Sequence, residues 1–254
     1  MVGNFRRLGA VLAAVGLTAA AEGAHAAILT ATWRGYVQLG TDTGVYLPSG
    51  GNLAGLPFTY RVTIDDATTT PYQYSSPGQY SSTEGGSHFY IGDPSPASGV
   101  MTIGGVSSAV TGDYVSVVSH QVNVNGPFFI YNHGTYQWLE NRTDSFNPAI
   151  GLESYTDLYI VDYGHSISVP WDYRTPASFL LPAGLAARGG FTAAYVTRPD
   201  GSIAAATAEL IATSYTMAAG VPEPGSWGLM LLGLGGVGAM ARRAPRLGRD
   251  ARTS

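Results

Sequence analysis

Cysteine and lysine are both missing from this chain of 254 residues. Without cysteine there are no disulfides, so a secreted domain of this composition must be held together by packing alone. Without lysine, all thirteen basic residues are arginine. The segment from Ala27 to Gly220 has fourteen acidic side chains against six arginines, a charge of −8, and the two terminal segments, with seven arginines against three acidic residues, bring the whole chain to −4. An acidic body with scattered arginines argues against nucleic acid or an anionic membrane as partner. That body also lacks a long amphipathic helix, and it has no self-similar repeat of the kind that builds propellers and solenoids.

Recognisable catalytic and metal motifs are missing as well. Gly164-His165-Ser166-Ile167-Ser168 lacks the closing glycine of a nucleophile elbow. His88, His120, His133 and His165 are scattered, without the paired spacing that zinc needs. No DxDxDG loop organises the acidic residues. Calcium stays a low-ranked cofactor candidate through Asp65-Asp66 and through Glu153, Asp157 and Asp162, although Asp157 and Asp162 fall on opposite faces of a regular strand. Otherwise no cofactor is expected. Glu140, Asp144, Glu153 and Asp157 are the carboxylates from which a glycoside-cleaving pair could be drawn, but their sequence spacing says nothing about separation across a cleft.

The two ends are what the chain has in place of such motifs. Arg6-Arg7 precede an apolar stretch from Leu8 to Ala21, and Ala24-His25-Ala26 supplies a small-x-small cleavage signature. Residues 1–26 therefore read as a signal peptide with Ala27 as the first mature residue, cut by signal peptidase. The residues around Arg6-Arg7 fit the twin-arginine pattern poorly, so the general secretory route is expected.

At the other end, Val221-Pro222-Glu223-Pro224-Gly225 is followed by an uncharged run from Ser226 to Ala241 and then by Arg242-Arg243. As a helix, residues 227–241 reach roughly 22 Å, short of the ~30 Å hydrocarbon core. Gly228, Gly233, Gly235, Gly236 and Gly238 weaken the run further. A span this marginal suits a temporary tether, and the basic stop at Arg242 and Arg243 keeps the C-terminus cytoplasmic with the main domain outside.

In their order and spacing these pieces resemble the PEP-CTERM sorting signal of bacteria. The resemblance implies a sorting motif at Pro222, Glu223 and Pro224, a transmembrane helix over 226–241 and a basic tail over 242–254. It also implies an exosortase as processing partner, and a cell-surface or extracellular destination. The body's opening, from Trp33-Arg34-Gly35 to Gly55 and Phe58, resembles the N-terminal portion of many PEP-CTERM proteins of unassigned role, and brings no known catalytic residue with it. The same tail signal is sometimes labelled as the end of an ice-binding protein. For that role the body lacks regular Thr-x-Thr ranks, Thr68-Thr69-Thr70 alone not forming one.

The body, residues 27–220, reads as an all-β, antiparallel β-sandwich. Leu56 to Asp65 alternates strictly, with Leu56, Phe58, Tyr60, Val62 and Ile64 apolar, as a sheet with one buried face requires. Ile28 to Leu39, Phe128 to Tyr131 and Leu158 to Val161 are further strands. Val115 to Val124 changes parity and predicts a bulge near Val117-Val118. Phe191 to Thr197 and Ile203 to Met217 flank the turn Arg198-Pro199-Asp200-Gly201-Ser202, a hairpin signal. Ala204 to Ile211 is alanine-rich, but Thr213, Tyr215 and Thr216 favour strand. Pro71 to Ser87, with Tyr72, Tyr74 and Tyr80 among serines and glycines, reads as an exposed, mobile insertion.

Aromatic side chains supply the one positive hint of function. All sixteen tyrosines lie in the body, and Tyr131 to Trp138 combines rings with amide and hydroxyl donors. Tyr136 and Trp138 are the candidate glycan-binding pair, although aromatics also favour strands and fill cores. PEP-CTERM systems typically occur in exopolysaccharide-producing bacteria. The resemblance therefore implies a structural or adhesive, non-enzymatic matrix or biofilm component with exopolysaccharide as partner. A secreted polysaccharide hydrolase or lyase is the alternative.

Overall fold

Alternation along Pro57–Asp65 builds the first wall of the core. Phe58, Tyr60, Val62 and Ile64 are buried while Arg61 is exposed, so one face of the strand is apolar and packed and the other meets solvent. The computed structural model describes residues 28–68, 72–86, 94–110, 115–125 and 135–219. The chain divides into Ala27–Gly220 and a second unit of the two terminal segments, and all described residues lie in the first.

The described residues are all β, with no helix. In chain order the strands are β1 (Ile28–Asp42), β2 (Gly51–Asn52), β3 (Pro57–Asp65), β4 (Tyr72–Ser76), β5 (Tyr80–Gly85), β6 (Ala97–Ile103) and β7 (Val106–Val110). They continue with β8 (Val115–Asn125), β9 (Thr135–Asn147), β10 (Leu152–Asp162), β11 (Ala177–Leu180), β12 (Ala187–Thr197) and β13 (Ile203–Ala219). All pair antiparallel in one sheet of order β4-β5-β8-β9-β10-β12-β13-β1-β3-β6-β7, with β11 added to β13 and β2 to β1.

The expected sandwich therefore takes the form of one antiparallel sheet curled onto itself. Hydrogen bonds join strands that are not neighbours in it. Trp33 Nε1 on β1 donates to Asn141 Oδ1 on β9 at 2.8 Å, and the hydroxyls of Tyr60 on β3 and Thr143 on β9 meet at 2.7 Å. Two separate sheets are avoided because β1 and β13 are long, and their pairing shifts register at Arg34/Gly35 and Val37/Leu39. Such bulges bend and coil a strand, so the same pair serves both layers. Trp33, Tyr60, Tyr215, Phe58, Leu139, Leu158 and Ile160 fill the space between the layers.

Two further expectations change. The β8 irregularity falls between Gln121 and Val124, not at Val117-Val118, because Val115–Gln121 keeps regular pairing with Asp144–Trp138. The Tyr-Ser-Gly stretch is no free loop: Tyr72–Gly85 forms the β4–β5 hairpin, and β5 pairs with β8. Ser81, Ser82 and Thr83 are buried there, and Ser81 Oγ accepts the Tyr173 N–H at 2.8 Å. Small hydroxyl side chains can pack inside a sheet when their polar atoms find partners, and a search for aliphatic residues misses them. Alanine-rich Ala204 to Ile211 is strand, as expected, and follows the expected hairpin, whose Gly201 sits at φ +81°. Phe128 to Tyr131 lies outside the described residues.

Candidate functional site

Period-2 geometry decides which β9 and β10 side chains are available to a ligand. Leu139, Asn141 and Thr143 on β9 and Thr156, Leu158 and Ile160 on β10 point into the core. Their alternates, Trp138, Glu140 and Arg142 with Tyr155, Asp157 and Tyr159, lie on the outer face, where Asp144 is fully buried. The register sets Tyr159 opposite Glu140 and Asp157 opposite Arg142. It also lets the Trp138 and Tyr159 rings stack at 5.6 Å and 9°.

Electrostatics on this face are unusual for a sheet surface. Trp138 Nε1 donates to Glu140 Oε2 at 3.2 Å. Burial, followed by the charge of neighbouring Asp157, pushes the Glu140 carboxyl up to about 7. Burial also raises Asp157, opposed by Arg142, and burial raises Glu84 on nearby β5. Arg142 is already committed: its guanidinium reaches the fully buried Asp144 at 2.7 Å. Asp157 Oδ1 is buried and has no hydrogen-bond partner.

Across β12, Phe191 pairs with Asp157, and Gly189 pairs with Tyr159, leaving that position without a side chain. Beside Phe191 an open groove of about 350 Å³ runs over β1, β13 and β12. Leu39, Tyr155 and Phe191 form its apolar walls, with Thr41, Thr207 and Glu209 between them.

The residues singled out from the sequence are partly brought together here. Trp138 is half-buried on the outer face, whereas Tyr136 is only 6% exposed and packs edge-on against Tyr163 at 5.9 Å. Glu140 and Asp157 share one face. Two of the calcium candidates, Asp66 and Asp162, have other partners: Asp66 accepts from Tyr173 Oη at 2.5 Å and Arg174 Nε at 2.7 Å. Asp162 caps a loop through the N–H groups of Gly164 and Ile167. Among the described residues no group of three or more His, Asp or Glu is placed to hold a metal. His120 is fully buried between Pro170 O and Tyr215 Oη, where burial pulls its imidazole down to about 3.

Tyr155, Tyr159 and Phe191 were missed, and the Tyr155-x-Asp157-x-Tyr159 alternation was the available signal. Hydroxyl ranks were missed too, because they run across strands rather than along one. The register aligns Thr30 with Thr63 and Ser98, Thr32 with Thr216 and Ser178, and Thr59 with Thr102 and Ser107. Arg34 and Arg61 interrupt them.

Comparison with known proteins bears on the tail. The family model described as the PEP-CTERM protein-sorting motif matches residues 220–244. The chain carries a PEP-CTERM sorting signal. The match takes in Pro222, Glu223 and Pro224 and the basic stop at Arg242 and Arg243, and it makes this an exosortase-targeted, exported protein sorted at the membrane. No curated protein and no solved structure matches the chain. The PEP-CTERM segment and Ala24, Ala26 and Ala27, where signal cleavage is expected, lie outside the described residues.

Proposed function

We propose that the body is a glycan-binding module, non-enzymatic, that acts in or on an extracellular polysaccharide matrix after PEP-CTERM sorting. The observation that carries this reading is the Trp138–Tyr159 stack, which lies beside Glu140 and Asp157 on the outer sheet face. Aromatic rings offer apolar faces to sugar C–H groups, and neighbouring carboxylates accept from sugar hydroxyls. Tyr159 therefore replaces Tyr136 as the partner of Trp138, since the Tyr136 ring is packed away.

The polysaccharide-cleaving alternative has one observation in its favour. Glu140 and Asp157 are neighbouring carboxylates with raised affinity for protons, as an acid–base pair requires. The two lie on adjacent strands of one sheet face rather than opposite one another across a cleft, and this favours binding.

Retention of the mature protein on the host's own exopolysaccharide tests the proposal. Trp138→Ala with Tyr159→Ala should reduce retention while leaving the β-type circular dichroism unchanged. Tyr136→Ala should instead lower the melting temperature. Unchanged retention in the double variant would remove the aromatic site, and release of reducing ends by purified protein would establish the cleaving alternative.

A further inference from the structure

We infer that the site is a band along β10, from the Trp138–Tyr159 stack to the groove beside Phe191, and that it takes an uncharged polysaccharide chain lying across several sugar units. This rests on the glycan-binding reading and assigns the ligand class and the extent of the site.

Ring spacing argues for a chain. Tyr155 and Tyr159 stand four residues apart on one face of β10, so their Cα atoms are about 13 Å apart. A single pyranose cannot touch both. The register carries the band onto β12 and β13, because Asp157 pairs with Phe191 and Phe191 with Glu209. At that end the groove is open rather than closed, so a polymer can pass through it without presenting a terminus. Leu39 and Phe191 are 62% and 46% exposed and line the same groove. Between the apolar ends lie polar acceptors: Glu140, Asp157 and the Thr41–Thr207 hydroxyl pair at 3.4 Å.

Charge selects the class of chain. Glu140, Asp157 and Glu209 line the band, and Arg142, the cation that the described residues place on it, is held by Asp144. A uronate, sulfate or phosphate on the ligand would meet carboxylates with no free guanidinium to compensate, and like charges at this range repel. Hydroxyl-rich neutral sugars meet acceptors.

The host's secreted polysaccharide, partly hydrolysed and separated by anion exchange into neutral and anionic fractions of graded length, provides the probes. Calorimetric titration of the mature protein should show binding to neutral fragments that strengthens with length. Phe191→Ala with Leu39→Ala should weaken the longest neutral fragments about tenfold, about 1.4 kcal/mol, and leave the shortest unaffected. The extended band is wrong if this variant keeps the wild-type length dependence while Trp138→Ala abolishes binding; the glycan-binding reading then stands. Anionic fragments held as tightly as neutral ones overturn the ligand class. If no fraction binds, the reading underneath fails and the inference with it.

Discussion

Two buried titratable side chains, one on each face of the sheet, set opposite limits on the pH range of the body. Glu140 binds its proton more tightly in the folded state, at about 7, than the unfolded chain does. The native state therefore carries the extra proton between the two values, and stability is fully present below ~4.5 and lost as pH rises toward 7. His120 works the other way. Its folded value near 3 keeps it neutral while the unfolded chain protonates, so its contribution is complete above ~6.5 and lost as pH falls. Glu140→Gln should remove the first limit, since the amide oxygen still accepts from Trp138 Nε1 and no charge is buried. Urea unfolding at pH 8 should show the variant more stable by on the order of 1–3 kcal/mol, with no difference at pH 4. Equal stability of variant and wild type at both pH values would mean that Glu140 is far better solvated than this. The carboxylate neighbourhood behind this behaviour was not legible in the sequence. Glu140 and Asp157 sit on different strands, and only the β9–β10 register makes them neighbours.

At the scale of strands, glycine is what permits close backbone approach over β12. A Cβ added to Gly190 would collide with the backbone oxygen of Asp157 on β10, while one added to Gly184 meets nothing within 4 Å. Gly190→Ala must push β12 away from β10 and should cost about 3 kcal/mol or more, the range of overpacked or strained sites. Gly184→Ala should leave stability nearly unchanged or raise it by about 0.4–1 kcal/mol through the unfolded chain. Thermal melts of the two variants decide the matter, and similar midpoints would refute the close β10–β12 approach. Strand legibility followed the same physics. β3 could be read because one face is apolar throughout, and β12–β13 because Pro199 and Gly201 punctuate the turn. β5 could not, because its buried residues are serine and threonine, and the partner of Ser81 Oγ, the Tyr173 N–H, is distant in sequence. The β8 bulge was misplaced because parity locates a shift only to within the interval between apolar residues, and pairing fixed it at Gln121/Val124.

For the whole molecule, a folded acidic body is joined to a linear tail signal, and the two differ in how they are read. Pro222-Glu223-Pro224, the uncharged run and Arg242-Arg243 act as a contiguous string, so they were legible without any fold. The binding band draws on β1, β9, β10, β12 and β13, so it exists only once the sheet has curled and its register is set. The architecture was legible to the level of an all-β antiparallel body, and the single continuous sheet was not, since the bulges that bend β1 and β13 leave no composition signal of their own. Separation of the two parts also makes the tail testable on its own. Replacing Pro222, Glu223 and Pro224 with alanine removes the sorting motif but leaves residues 1–26, expected to direct export, and Arg242-Arg243 in place. Export should continue and orientation should hold, because Arg242 and Arg243 still keep the C-terminus cytoplasmic. Processing should fail, and fractionation should find the variant in the membrane with Arg242 to Ser254 still attached. Mass spectrometry of the wild-type extracellular form should give an N-terminus at Ala27 and no residues beyond the Pro-Glu-Pro region. A variant that reaches the medium as efficiently as wild type would show that Pro222-Glu223-Pro224 is not the element recognised, and an intact C-terminus on the extracellular wild type would show that the tail is not removed.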